Sequence, residues 1–186
     1  MSDILDFEVL SGGMILPEKP VHISATAHYI ASAYKNVEDL SGMKFGNDYL
    51  WHIFNPDLSD WYPHSEKPAI ALCILKEYYP DKAVDFASAL QYALHFEGRD
   101  LTDDEAYRHI IEKYSIQEEA FYQKLHSDSY KQMAHYEFAL VKQLKVEGYP
   151  AVFLQLSESK FYLLAKGYTD ENALTQRIMD ILGSIT

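Results

Sequence analysis

Val146-Glu147-Gly148-Tyr149-Pro150-Ala151-Val152-Phe153-Leu154-Gln155-Leu156 is the stretch on which the reading of the fold turns. A polar loop carrying Gly and Pro gives way to a continuous apolar run, the pattern of a strand entered through a turn. Ser157-Glu158-Ser159 marks a second turn, and Phe161-Tyr162-Leu163-Leu164-Ala165 a second strand that stops before Gly167. The two runs predict an antiparallel hairpin. The unbroken apolar character of the first predicts that both of its faces are covered. A last amphipathic helix follows, with Leu174, Ile178, Ile181, Leu182 and Ile185 as its stripe.

Upstream the periodicity is helical almost throughout. The exception is Phe7-Glu8-Val9-Leu10, an alternating run stopped by Ser11-Gly12-Gly13, which predicts a short strand. Helices are predicted at about 22 to 40, 46 to 54, 66 to 79, 81 to 97, 103 to 114, 117 to 126 and 128 to 146. Thr102 with Glu105 and Ser115 with Glu118 have the spacing of capping boxes, and Pro56, Pro63 and Pro80 punctuate the breaks. Residues 69 to 79 are apolar on nearly all sides in their first half, which predicts a buried helix. Val84, Ala87, Leu90 and Leu94 form a stripe on the next helix; Tyr130, Ala134, Phe138, Val141 and Leu144 form one on a later helix.

Composition narrows the function. With 186 residues and 48% apolar content, the chain suits one well-buried domain. A net charge of -12 argues against nucleic acid and against an anionic membrane, and favours a protein, a peptide or a small organic ligand. No apolar run approaches the roughly 20 residues of a membrane span, and the start has no signal-peptide pattern, so a cytoplasmic protein is expected. Cys73 is the sole cysteine, which forbids an internal disulfide.

Four ordered stretches are similar to the FrnE-like branch of the DsbA family. They are Phe7 to Met14, Phe96-Glu97-Gly98-Arg99-Asp100-Leu101-Thr102-Asp103, Gly148-Tyr149-Pro150, and Leu163-Leu164-Ala165-Lys166-Gly167-Tyr168. The resemblance implies an α/β, thioredoxin-like fold of the DsbA type with a large all-helical insertion. It implies one domain over 1 to 186, with the thioredoxin-like core from 7 to 14 and about 147 to 186 and the insertion from about 22 to 146. It further implies that Gly148, Tyr149 and Pro150 bind substrate, with a cis bond at Pro150. In that family a first strand ends in Cys-x-x-Cys at a helix start. A βαβ unit takes on the order of 30 residues, so the expectation is that this strand and its helix are missing.

That expectation decides the chemistry. Disulfide exchange needs a low-pKa thiolate and a resolving cysteine. Cys73, mid-helix in an apolar run, is expected to be core filler with a raised pKa. No catalytic residue, cofactor or metal is therefore assigned. In the sheet the resemblance implies, the vacant central strand position would orphan backbone groups at about 1–3 kcal/mol each. Direct pairing of the 7 to 11 and 151 to 156 strands, a segment from another chain, or a start site downstream of the real one could account for it, and a homo-oligomer through the open sheet edge is the favoured expectation. The alternatives are a glutathione-dependent enzyme like the kappa-class transferases or 2-hydroxychromene-2-carboxylate isomerases, and a non-catalytic peptide- or ligand-binding protein.

Other constellations carry less. Glu105, His109 and Glu112 share a predicted helix face that could offer zinc a nitrogen and two oxygens, though an exposed acidic face with a chance histidine explains them. His22 and His28 have no register that joins them. Asp100, Asp103, Asp104 and Glu105 lack the order of a calcium loop and suit a helix N-terminus. Tyr29, Tyr34, Tyr49, Trp51, Trp61 and Tyr62 could line an aromatic groove or fill helix contacts.

Overall fold

A computed structural model describes residues 5–184. The chain divides into two compact units, one through Lys142 and the other from Gln143. Helices of the first unit are α1 (Ser24–Ser41), α2 (Asn47–Phe54), α3 (Glu66–Tyr78), α4 (Ala83–His95), α5 (Arg108–Lys113), α6 (Glu118–Leu125) and α7 (Asp128–Gln143). Short 3-10 turns at Pro56–Leu58, Pro80–Lys82 and Asp104–Tyr107 join them. The second unit holds β1 (Ala151–Ser157), β2 (Lys160–Lys166) and α8 (Glu171–Gly183).

The first unit is built around α3. Ala69 through Leu75 are all buried, because this helix carries apolar side chains on every face and is surrounded by other helices. Phe86, Leu90 and Ala93 of α4, Ile110 and Ile111 of α5, Phe121 and Leu125 of α6 and Ala134 of α7 complete that core. A second, smaller core of Ile23, Tyr49, Ile53 and Trp61 lies under α1 and α2. Gly46 makes that packing possible: a Cβ there would sit 1.7 Å from the Phe96 carbonyl oxygen.

The predicted stripe on α4 holds at Leu90, with Ala87 and Leu94 half-buried against the core, but not at Val84. Ala83, Phe86, Leu90 and Ala93 are the buried positions, while Val84 is 54% exposed. The reason is surface area: turning Phe86 inward removes more apolar surface from water than turning Val84 inward. The stripe on α7 holds through Ala134 and Val141, but Glu137 is buried between them. That helix ends at Gln143, before the predicted residue 146, where Lys145 takes a left-handed backbone with φ of 55°.

Phe7 to Leu10 is not a strand. It has no regular secondary structure, and side chains of α3 and α7 bond the backbone at Val9 and Ser11. The Lys76 ammonium donates to the Val9 carbonyl at 2.7 Å, and the Ser11 amide donates to Glu137 at 2.8 Å. Ser65 closes the segment, its amide donating to the Ile15 carbonyl at 2.7 Å and its hydroxyl accepting from the Ile15 amide at 3.2 Å. Gly13, at φ of 63°, presses on the Phe138 ring, where a Cβ would come within 2.6 Å.

Both predicted capping boxes are also replaced. The N-cap positions before Asp104 and Glu118 are Asp103 and Gln117, and neither makes a side-chain cap. Arg108 draws Glu105 and Glu118 to itself instead, at 2.7 and 2.6 Å. A bidentate guanidinium is a stronger partner for a carboxylate than an N-cap backbone amide.

In the second unit β1 and β2 form the predicted antiparallel hairpin, with register irregularities at Val152/Phe153 and between Gln155 and Ser157. β1 buries only Leu154, contrary to the expectation of coverage on both faces. Coverage concentrates on β2, where Leu164 and Ala165 are both buried at the register irregularity opposite Val152 and Phe153. α8 is capped by Asp170, which accepts from the Ala173 amide at 3.0 Å, and Ile178 is its buried stripe residue. Ile185 of the predicted stripe lies outside the described residues.

Candidate functional site

The loop at 147 to 150 is held by the hairpin it leads into. The Pro150 carbonyl accepts from the Gly167 amide at 2.7 Å, which ties the loop to the end of β2. Glu147 pairs with Lys166 at 3.0 Å, and that lysine stem runs past Gly148 at ordinary van der Waals distance from where a Cβ would stand. The Tyr149–Pro150 peptide bond is cis. Tyr149 is 43% exposed, and Pro150 is exposed beside it. Gly148, Tyr149 and Pro150 thus form one surface strip on a regular scaffold, offering a ring face and a loop backbone.

Cys73 lies elsewhere in the chain's architecture, in the middle of α3. It is 3% exposed. Burial pushes its thiol up to about 12, with the Glu137 carboxylate adding to the rise. Its Sγ sits 3.5 Å from Glu137 Oε1. Glu137 is the centre of a buried knot: it accepts from the Ser11 amide and from the Lys76 ammonium, which in turn donates to Val9. A neutral thiol packed against a carboxylate and shut from solvent is neither a nucleophile nor a leaving group at neutral pH.

A polar crevice opens beside the start of α3, a cavity of about 240 Å³ lined by His64, Glu66, Lys67, His126 and Lys131 among others. Its lining residue Glu66, and Asp104 next to its lining residues Lys67 and His126, are each gripped by one lysine and one histidine. Glu66 meets His135 at 2.6 Å and Lys131 at 3.2 Å, and Asp104 meets Lys67 and His126, both at 2.7 Å. Burial pushes both carboxyls up, but the hydrogen bonds from these partners outweigh it and hold both below their ordinary values. These six groups staple the start of α3 to α7 and to the 3-10 turn before α5.

The remaining predicted groups scatter. Glu105 pairs with Arg108, and His109 with Glu97 at 3.2 Å, so the imagined zinc face is not assembled. Among the described residues no group of acids, histidines and cysteine could hold a metal ion. Asp103, Asp104 and Glu105 stand at the start of the 3-10 turn that leads into α5, the helix-end placement the sequence suggested, while Asp100 accepts from the Thr102 amide at 2.8 Å and Asp104 also pairs with Lys67. His22 binds the Ser59 carbonyl at 2.9 Å, and His28 is exposed on α1. Of the aromatics, Tyr49 and Trp61 are core, with His52 stacked on Trp61 at 3.8 Å, whereas Tyr29, Trp51 and Tyr62 face solvent.

The sequence reading missed Glu137, Lys76 and Glu66. A signal for the first was available: an acid three residues after Ala134 and four before Val141 lies on the apolar stripe itself. Glu66 and Lys76 gave none, because each is buried by neighbours distant in sequence.

Comparison with known proteins follows the same lines. A structure of a candidate protein disulfide isomerase from Nitrosomonas europaea superposes with a TM-score of 0.75 at 23% identity, over 93% of this chain and 79% of that one. Cytosolic disulfide reductase DsbM from Pseudomonas aeruginosa gives 0.66, and its structure with GSH 0.69, both at 20% identity over 98% of this chain and 86% of that one. At these identities the likeness is one of fold. No curated protein matches the chain significantly. The family described as DSBA-like thioredoxin domain matches residues 64–178, well over half of the chain.

Proposed function

Because this chain belongs to the DSBA-like thioredoxin domain family, we propose that it offers the Gly148-Tyr149-Pro150 strip to peptide or protein thiol substrates and performs no dithiol chemistry with its own cysteine. The observation that carries this reading is the burial of the sole thiol of the sequence on α3, at a pKa of about 12, while Tyr149 and Pro150 are exposed. An extended peptide laid on the strip would meet the Tyr149 ring and the loop backbone, a mode in which main-chain groups give affinity. The cytoplasm is the compartment in view, in keeping with the cytosolic description of DsbM.

Among the described residues β1 pairs only with β2, so its other edge is available for strand addition. A homo-oligomer through that edge is part of this proposal; size-exclusion elution independent of concentration would count against it. Glutathione binding is the second reading, favoured by the DsbM structure with GSH, and retention on glutathione-agarose separates the two.

The primary test is an NMR titration with an extended peptide whose cysteine is S-methylated. Shifts confined to the amides of Gly148, Tyr149 and Ala151 and their neighbours are expected. Saturable binding that leaves these signals unmoved removes the proposal.

A further inference from the structure

Residues 45 to 66 contain no Lys or Arg but four carboxylates, and the same stretch exposes a line of large apolar side chains. On α2, Tyr49 and Ile53 turn into the smaller core, which sends Trp51 and Phe54 to the opposite side. They are 46% and 55% exposed. The 3-10 turn continues the line with Leu58 at 74%, and Tyr62 follows at 53%. Asn55 Nδ2 donates to the Trp51 carbonyl at 2.9 Å, which locks the junction between helix and turn. Phe54 is braced by an edge contact with Tyr34 at 5.9 Å, Tyr62 by one with His22 at 4.9 Å, and Trp51 by one with His52 at 5.0 Å. These side chains are therefore positioned rather than loose.

Asp48, Asp57 and Asp60 flank this ridge, all exposed and none in an ion pair among the described residues. Exposed aromatic anchors in a stretch with three unpaired aspartates, and with Lys35 at the Tyr34 ring as the neighbouring cation, repel an acidic partner and attract a cationic one. A second copy docked ridge to ridge is a poor occupant on the same ground, because it would set Asp48, Asp57 and Asp60 against the same three acids. We infer that the Trp51-Phe54-Leu58-Tyr62 ridge is a docking surface for a cationic amphipathic polypeptide segment, whose apolar side chains cover the aromatics while its Lys or Arg groups meet Asp48, Asp57 and Asp60. It uses other residues than the Pro150 loop and goes beyond the function proposed for that loop.

The test is fluorescence anisotropy of a labelled peptide of alternating Arg and Leu, with its Glu-for-Arg counterpart as control. Binding of the cationic peptide only is expected, weakened at least about tenfold by Trp51→Ser with Leu58→Ser. Asp57→Lys with Asp60→Lys should also reverse the preference between peptides, and these exposed positions leave the core untouched. A Pro150→Ala variant should retain the affinity within about twofold, which keeps failure here distinct from failure of the loop. Equal binding of both peptides, no binding of the cationic peptide, insensitivity to the ridge variants, or a ridge-dependent dimer would each overturn the inference.

Discussion

Replacing Glu137 by alanine tests the knot that holds the N-terminal segment on the helices. The carboxylate is 7% exposed, and its loss strips a partner from the Lys76 ammonium, whose side chain is 19% exposed, and from the Ser11 amide. Removing one member of a buried pair costs about 3–5 kcal/mol, and an orphaned amide adds to it. Lys76 keeps its bond to the Val9 carbonyl, so the expected loss is at the lower end, about 3 kcal/mol. With a urea m-value of about 2 kcal/mol/M, the unfolding midpoint falls by about 1.5 M. Trp51 and Trp61 both lie in this unit and report it by fluorescence. The double variant Glu137→Leu with Lys76→Met removes both charges and should recover most of the loss. A Glu137→Ala protein within about 1 kcal/mol of the parent, or a double variant no better than the single, refutes the knot as the anchor of residues 9 to 15.

Further outcomes follow from the same geometry. Cys73 should not react with an aromatic disulfide reagent in the native protein and should react fully in denaturant; rapid native labelling contradicts its burial. Gly46→Ala should cost about 3 kcal/mol, the upper end for overpacking, because the obstacle is the Phe96 backbone and cannot swing aside; a midpoint unchanged in urea contradicts that contact. The folded-state pKa values of Glu66 and Asp104 lie below their ordinary 4.5 and 3.8. Their contribution to stability is thus complete above those ordinary values and is lost as pH falls through the lowered ones. Glu66→Gln with Asp104→Asn should flatten the acid limb of a stability-against-pH curve, and an unaltered slope contradicts the assignment.

Much of the helical unit was legible because its helices are amphipathic and punctuated: α2, α3 and α6 start or stop within two residues of where Pro, Gly and apolar spacing put them. The hairpin was legible for the same reason, since period-two apolar runs bracket a polar turn. What failed needed tertiary knowledge. Phe7 to Leu10 reads as a strand by alternation, yet Lys76 and Glu137, more than sixty residues away, claim its backbone. The capping boxes have the right spacing, but Arg108 outcompetes the backbone for their acids. On the site, Gly148, Tyr149 and Pro150 could be named through family resemblance alone, and burial of Cys73 followed from its apolar neighbours. Glu66 with His135 and Asp104 with His126 left no local pattern, because each pair is assembled from separate elements.

Turnover of a disulfide substrate bears most directly on the claim that recognition and redox chemistry are uncoupled in this chain. In an insulin-reduction assay with dithiothreitol, the protein and its Cys73→Ala variant are expected to give the same rate, equal to that of dithiothreitol alone. A rate well above that background, abolished by Cys73→Ala, would contradict the account.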